Sequence, residues 1–285
     1  MIKKIMKHDF LALRKPLGIT LAVAVVTSLI ITGIDLLMPA IASNRVMIPT
    51  ATTFTVLGFI TVVAVPVVYW VFIVIHYYRS MYGKTGYFTM SIPAEAHQIF
   101  WAKTLFNSVV LIVSHLVMLG CFVLLSAGIV NLIAPFANDD WGVSSSDWNT
   151  IWQTILLAAL FLIFTSITGA IGLQFVITTG NHAPFLDRFG RIGGPVLVAV
   201  LTYVALQIFN AIMIIPPGQI LFFEPNAPIV SFNWGGGLVN LFSIGSPSSD
   251  ANLAISIWTI IGSVLATIVM GCLTADFIKK GTSLR

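Results

Sequence analysis

The sequence predicts an all-α polytopic membrane protein that crosses the bilayer with six transmembrane helices. Of its 285 residues, 58% are hydrophobic and only 8% are charged, and the mean hydropathy is +0.99. Ordinary soluble domains carry about 25% charged residues, so this chain has too few charges to cover a water-exposed surface. The composition therefore excludes a soluble enzyme, a nucleic-acid-binding domain and a disordered chain, and it predicts one transmembrane domain over 1–285.

Each predicted span is an apolar run long enough to cross the hydrocarbon as a helix, which takes about 20 residues. The third and fourth runs exceed this length, so we expect tilt or extension beyond the bilayer. A closed barrel would show alternating segments of about 10 residues, whereas these runs are continuous. The six spans are Leu17–Ile41, Phe54–Tyr77, Leu105–Phe136, Ile151–Thr179, Gly193–Pro216 and Leu253–Phe277.

The basic residues predict the orientation, because Lys and Arg are enriched in cytoplasmic loops. In a six-span topology, 13 of the 14 Lys and Arg residues fall on one side and only Arg45 falls on the other. We therefore expect a multi-pass protein with both termini in the cytoplasm, and the net charge of +4 reflects topology rather than a nucleic-acid partner. The side of Arg45 instead collects the acidic residues Asp139, Asp140, Asp147, Glu224 and Asp250.

Residues 1–16 are predicted to form an amphipathic helix in the membrane interface, with its basic face toward anionic headgroups. Pro16 and Gly18 would permit a bend into the first span. Two alternatives are a basic tail that only enforces topology and a cleaved signal peptide, although the apolar run is longer than the usual apolar region of a signal peptide, which has about 7–15 residues. The pattern consists of the apolar residues Ile2, Ile5, Met6, Phe10, Leu13 and Leu17, with Lys3, Lys4, Lys7, Arg14 and Lys15 between them.

The predicted cytoplasmic loop over 78–103 is unusually apolar for a segment that faces water. Aromatic and apolar side chains in such a loop indicate either docking onto a soluble partner or packing as an aromatic belt at the membrane interface. Gly83 and Gly86 mark a turn, and Ser91 and Pro93 suit the start of the following helix. The apolar residues are Tyr82, Tyr87, Phe88, Met90 and Ile92.

The tripeptide Gly83-Lys84-Thr85 in this loop does not indicate a nucleotide site. A phosphate-binding loop needs a further glycine five residues before Gly83 and a strand before that glycine. Tyr78 stands at that position and a predicted transmembrane helix precedes it. We therefore expect no ATPase activity from this chain.

The loop resembles the one after the second span in ABC-2-type permease subunits, particularly those of Gram-positive bacteria. The shared pattern is aromatic-Arg-Ser-Met-Tyr-Gly-x-x-Gly-Tyr-Phe-Thr-Met-Ser-Ile-Pro, which starts at Tyr78. The basic N-terminal helix and the six-span plan with both ends inside agree with this resemblance. The residues that match the family's coupling helix are Gly86, Tyr87, Phe88, Thr89, Met90 and Pro93.

The resemblance implies a subunit of an ATP-driven exporter in the bacterial cell membrane. Its loop would dock onto separate ABC ATPase subunits, which bind ATP and Mg, so this chain would need no cofactor of its own. It would pair with a second copy or a sister permease, and it would contact membrane lipids. The alternatives are a stand-alone secondary carrier or channel, which predicts an internal repeat or buried charges, and a membrane scaffold or enzyme without transport.

The predicted extracytoplasmic segment 216–252 is too apolar for a free loop and too rich in Pro and Gly for a seventh span. Interrupted backbone at membrane depth is tolerated where protein buries it or where it lines a cavity. We expect a partly re-entrant helix-turn-helix, which ABC-2-type permeases also place there. The alternative is an interfacial loop with aromatic anchors.

Few polar residues lie inside the spans. Ionisable groups there are functional candidates, but Asp35, His76 and Asp276 lie near span ends and only His115 is clearly inside. The span centres lack the carboxylates that ion-coupled carriers need, and no catalytic or metal-ligand spacing is present. Residues proposed to line a substrate pathway are Asn107, His115, Gln174, Gln207 and Asn210.

Overall fold

The computed structural model describes residues 2–41, 47–83, 86, 95–133, 145–183, 185–222, 230–234 and 253–280. Six of its helices are long enough and apolar enough to cross a membrane, which agrees with the predicted all-α polytopic class. Each coincides with one predicted span, and the first five extend beyond their spans at the N-terminal end. The helices are α1 Ile2–Ile41, α2 Met47–Met81, α3 Ala96–Ile133, α4 Ser145–Gly180, α5 Phe185–Ile214 and α6 Ile257–Lys279.

Helix α1 continues without a break through the segment that was expected to be a separate interfacial helix. Its 40 residues correspond to about 60 Å at 1.5 Å per residue, which is twice the thickness of the hydrocarbon. From Ile5 to Leu17 every fourth residue is buried, whereas Phe10, which is predicted to belong to the apolar face, is 56% exposed. Protein therefore covers the buried face, whose first members are Ile5, Asp9, Leu13 and Leu17, and the predicted placement of the basic face toward headgroups stays a prediction.

The contacts divide the chain into two compact units, one formed by Met1–Ala94 and Trp101–Ala170 and the other by Glu95–Phe100 and Ile171–Arg285. This division does not test whether residues 1–285 form one transmembrane domain, which stays a prediction.

In the first unit, α1 and α2 are antiparallel, because the start of α1 contacts the end of α2. The Tyr69 hydroxyl donates to the Leu17 carbonyl at 2.8 Å, and Asp35 near the end of α1 contacts Thr55 near the start of α2. Helix α3 packs onto this pair. The helices approach closely at Gly58, where a Cβ would lie 2.7 Å from the Cδ1 atom of Ile31 and would displace the end of that side chain. The shared core contains Ile31, Val62, Cys121 and Leu125.

In the second unit, a close glycine contact joins the end of α4 to the start of α5. A Cβ on Gly180 would lie 2.7 Å from the carbonyl carbon of Gly194 and would overlap Pro195. Gly190 breaks α5 between 185–189 and 191–214, with a φ of 72° that glycine adopts without a steric penalty. Beyond this contact α5 exposes most of its apolar side chains, as expected for a surface covered by lipid or protein.

The described part of segment 216–252 forms strands rather than the expected helix-turn-helix. Strands β1 Gln219–Phe222, β2 Val230–Asn233 and β3 Leu253–Ser256 form an antiparallel sheet in the order β2-β1-β3. The sixth helix consequently begins at Ile257 rather than at the predicted Leu253. Pro and Gly leave only short apolar stretches here, and such stretches pair as strands more readily than they form helices. Residues 223–229 and 235–252 lie outside the described residues.

The sheet is joined to the helices on either side of it. Ser256 donates from its hydroxyl to the Met213 carbonyl at 3.2 Å, and the indole N–H of Trp258 donates to the Pro217 carbonyl at 2.8 Å. Gly218, with a φ of 121°, accepts from the backbone N–H of Ile257. The sheet thus closes the connection between α5 and α6.

Candidate functional site

The two flanks of the predicted coupling loop are formed by the last turn of α2 and the first turn of α3. After Met81, the backbone N–H groups of Tyr82 and Gly83 both donate to the Tyr78 carbonyl, at 2.8 and 3.0 Å. At the other flank, the Glu95 carbonyl accepts from the N–H groups of the third and fourth residues after it. Both helices therefore keep their hydrogen bonds up to the edge of the loop.

Of the six residues matched to the coupling helix, Gly86 is described. Its N–H donates to the Gly83 carbonyl at 2.9 Å, and any Cβ at this position would overlap the backbone of Met81. The glycine thus lets the chain fold back against the end of α2. The other five, which are Tyr87, Phe88, Thr89, Met90 and Pro93, lie outside the described residues, so their role stays a prediction.

A buried ion pair lies at the base of this loop. Lys103 in α3 donates from Nζ to both carboxylate oxygens of Asp9 in α1, at 2.8 Å each. Asp9 is 1% exposed and Lys103 is 3% exposed. The pair joins residues 94 positions apart in the sequence and connects two helices that are not consecutive along the chain.

Helix α2 contributes two further polar groups to the ion pair. The Nε2–H group of His76 donates to Asp9 Oδ1 at 3.0 Å, and Lys103 Nζ also lies 3.1 Å from Ser80 Oγ. We call these four residues the basal cluster. Its members Asp9, His76, Ser80 and Lys103 come from the first three helices.

The basal cluster has the composition that a buried charge requires. Removing an ion from water costs several kcal/mol unless an opposite charge and hydrogen bonds compensate. Here the Asp9 carboxylate accepts three hydrogen bonds, and the Lys103 ammonium finds two carboxylate oxygens and a hydroxyl. Both ions are therefore compensated within the protein.

Sequence analysis missed this cluster because its members were interpreted separately. In the sequence, Lys103 contributes only to the predicted orientation, His76 only lies near a span end, and no role is predicted for Asp9. The available signal was the position of Asp9 four residues after Ile5 and four before Leu13, on the face predicted to be apolar. An acidic residue on such a face, within a basic segment, indicates a buried cation.

A second buried carboxylate lies near the other end of α1. Asp35 is fully buried and accepts a 2.8 Å hydrogen bond at Oδ2 from the Thr55 hydroxyl. Its Oδ1 atom and the hydroxyl of Thr32 have no hydrogen-bond partner among the described residues. Gly128 in α3 packs directly on this carboxylate, since a Cβ there would lie 3.1 Å from Oδ2.

His115 is held by α4 and by its own helix. Its Nδ1 atom lies 2.8 Å from the Leu111 carbonyl and 3.0 Å from Ser166 Oγ. The Ser166 hydroxyl donates to the Leu162 carbonyl at 2.6 Å, so the histidine carries its hydrogen on Nδ1. This bonding supports a structural role for His115 and leaves Nε2 as its other polar atom.

The other predicted pathway residues differ in burial. Asn107 and Gln174 are buried, Asn210 is half-buried, and Gln207 is exposed. The amide nitrogen of Asn107 has no partner among the described residues. Asn107 and His115 belong to the first unit, whereas the other three belong to the second, so their assignment to one pathway stays a prediction.

The described residues contain no group of three His, Cys, Asp or Glu side chains that could hold a metal ion. No protein-family model, curated protein or solved structure matches this chain. The physical arrangement of the basal cluster and its loop therefore provides the basis for a functional proposal.

Proposed function

We propose that this chain is the membrane subunit of an ATP-driven ABC exporter in a bacterial cell membrane. It forms the substrate pathway and receives force from separate ATPase subunits through the loop between α2 and α3. The observation that carries the proposal is the basal cluster, which holds that loop's two flanking helices together with α1.

A loop that transmits force needs a firm base. If the two flanking helices were free to separate, a displacement of the loop would only move them apart and would not reach the rest of the helices. Lys103 prevents this, because its ammonium contacts Ser80 in the last turn of α2 as well as Asp9 in α1. The aromatic residues Tyr87 and Phe88 would then dock onto the ATPase from a fixed platform.

The distribution of charge also favours an external source of energy. On α1, the 19 residues between Lys15 and Asp35 carry no charge, and they span about 29 Å, close to the hydrocarbon thickness. A carrier driven by protons or sodium needs ionisable groups within that thickness. Among the described residues, the buried acidic and basic side chains Asp9, Lys103 and Asp35 lie toward the ends of their apolar stretches.

The division of labour follows from these features. The partner ATPases bind ATP and Mg and supply the hydrolytic chemistry. This chain supplies the docking loop, the helices that move with it and one half of a pathway completed by a second copy or a sister permease. A pathway with few charges suits an amphipathic or apolar substrate.

The test is purification of the tagged full-length chain in mild detergent, followed by measurement of phosphate release from ATP. We expect vanadate-sensitive ATP hydrolysis by a co-purified subunit that carries a nucleotide-binding motif. The double substitution Tyr87→Asp with Phe88→Asp should remove that subunit. Phe189→Asp is the matched control, because Phe189 is an exposed aromatic residue on the same predicted side and outside the loop.

Two outcomes contradict the proposal. One is a wild-type preparation without ATP hydrolysis, which would favour a stand-alone carrier, channel or scaffold. The other is an ATPase subunit that remains bound to the double-substituted chain, which would place its docking surface elsewhere.

A further inference from the structure

We infer that Asp9 is a positioning residue that couples displacement of the α2–α3 loop to α1. This inference rests on the proposed function for the origin of the displacement. The physical connection through Asp9 does not rest on it, and it is tested separately.

At the base of the loop, Asp9 supplies polar contacts from α1 to both flanking helices. Its Oδ1 atom contacts both His76 of α2 and Lys103 of α3, and its Oδ2 atom contacts Lys103 again. Because the two flanking helices contact the same carboxylate, a shift of either helix displaces Asp9.

The burial of Asp9 makes this connection stiff. A surface ion pair exchanges its partners with water at little cost, whereas a buried ion has no solvent to replace a lost partner. The ammonium of Lys103 is equally enclosed. The cluster is therefore expected to move as one body rather than to open when the loop is displaced.

Helix α1 carries the displacement onward. From Asp9 its buried face continues to Asp35, a distance of 26 residues or about 39 Å along the axis. Asp35 contacts Thr55 in α2 and packs against Gly128 in α3. The same three helices thus meet through a carboxylate of α1 at both ends, and force that enters at Asp9 reaches the far end through a single helix.

The first experiment measures the connection alone. Spin labels are placed at Leu11 and Leu105, which are exposed and lie two residues after Asp9 and Lys103, in a chain whose Cys121 and Cys272 are replaced. The distance distribution is measured by double electron–electron resonance in nanodiscs. We expect a narrow distribution that broadens in Asp9→Asn, whereas an unchanged distribution would overturn the inference.

The matched control is Asp276→Asn. It makes the same substitution in an ion pair with Lys280 that is about half exposed and lies in the other unit. We expect it to leave the distribution narrow, and broadening by the control as well would overturn a specific role for Asp9.

Since Asp9→Asn leaves Lys103 buried without its carboxylate, the fold itself could suffer. The double variant Asp9→Leu with Lys103→Met removes both charges together, a replacement that buried ion pairs often tolerate. We expect it to fold and to show the broadened distribution. A narrow distribution in this variant would show that packing, and not the ionic contact, makes the connection.

The second experiment measures coupling with ATP and orthovanadate as the probe. Labels at the exposed residues Leu36 of α1 and Phe54 of α2 report on the far end in the complex with the ATPase. We expect ATP with vanadate to shift their distance in the wild type. In the Asp9 variants the shifted population should fall by about 2- to 30-fold, the range for residues that carry coupling, while ATP hydrolysis continues.

The results separate the two proposals. An equal shift in wild type and the Asp9 variants overturns the coupling role and leaves the proposed function intact. A wild-type preparation without an ATPase removes the proposed function and the coupling role together. In that case the Leu11–Leu105 distance still decides whether Asp9 connects the helices.

Discussion

The two ends of α1 each bury an aspartate on the same face, and the two sites are built differently. Asp9 contacts the Lys103 ammonium and the His76 imidazole, and Lys103 also contacts the Ser80 hydroxyl. The charge of Asp9 is therefore balanced by an opposite charge. Asp35 meets the hydroxyl of Thr55 and the close backbone of Gly128, and no Lys, Arg or His of the described residues forms an ion pair with it.

This difference shows that burial alone does not determine what a carboxylate does. At the Asp9 end, the contacts join opposite charges, and separating the helices there would leave a buried ion without its partner. At the Asp35 end, one hydrogen bond from a hydroxyl and close packing hold the helices, with no ion pair among the described residues. Substitutions at the two ends are therefore expected to change stability by different amounts.

The largest effect is expected for Asp9→Asn. It should lower the free energy of unfolding by about 3–5 kcal/mol, because it leaves the Lys103 ammonium buried without its carboxylate. Asp276→Asn breaks an exposed pair with Lys280 and should cost about 0–1 kcal/mol. Unfolding in detergent, followed by circular dichroism, measures both, and equal losses would contradict the importance of burial.

Thr55→Val should cost about 1–3 kcal/mol, because it removes the hydrogen bond to the buried Asp35 carboxyl. Thr61 is the control, since it also lies on α2 and donates to the carbonyl four residues earlier, at 2.9 Å. Its contact does not involve another helix, so Thr61→Val should change the free energy of unfolding little. If the two variants unfold alike, the contact between Thr55 and Asp35 contributes nothing to stability.

Gly128→Ala should lower the free energy of unfolding by about 0–2 kcal/mol, because overpacking costs about 1–3 kcal/mol and alanine regains about 1 kcal/mol over glycine in a helix. Its Cβ would lie 3.1 Å from Asp35 Oδ2 and 3.3 Å from the Cα atom of Thr32. Gly120 on the same helix has open space around its Cβ position, so Gly120→Ala should stabilise by about 0.5–1 kcal/mol. The thermal unfolding midpoint should fall in Gly128→Ala and rise in Gly120→Ala. If it falls in both variants, the close packing at Asp35 does not explain the effect at Gly128.

The smallest effect is expected for Asp35→Asn, at about 1 kcal/mol or less, because the amide oxygen still accepts the hydrogen bond from Thr55. No described cation loses a partner in this variant. Replacing aspartate by asparagine should therefore lower the free energy of unfolding several-fold more at Asp9 than at Asp35. A loss as large as that of Asp9→Asn would indicate that Asp35 also balances a charge.

The six helices were predictable because the bilayer imposes a minimum length on an apolar run, which a single sequence shows directly. The ends of the helices were harder to predict, because a helix that continues beyond the membrane into water no longer shows a long apolar run. For α3 the apolar run begins only at Leu105, and it was the capping signals at Ser91 and Pro93 that predicted an earlier start; the helix begins at Ala96 and so includes Lys103.

The candidate site was only partly predictable. The loop stood out by its aromatic residues, but the residues that hold its base are single polar side chains 94 positions apart. Pairing Asp9 with Lys103 requires knowledge of which helices are neighbours, and apolar run lengths do not provide it. The sheet formed by β1, β2 and β3 was missed for a related reason, since strands of four residues between Pro and Gly carry little periodicity.

The position of Pro16 in α1 has a mechanical consequence. Proline has no N–H, so the carbonyl four residues earlier receives no hydrogen bond from it, and the Pro16 carbonyl itself accepts from the Thr20 hydroxyl at 2.9 Å. The turn at Pro16, between the basal cluster and the uncharged stretch, therefore has one backbone hydrogen bond fewer than a regular helical turn. On the N-terminal side of Pro16, about 20 Å of helix carries five basic residues. Asp9 attaches this segment to α2 and α3 through His76 and Lys103.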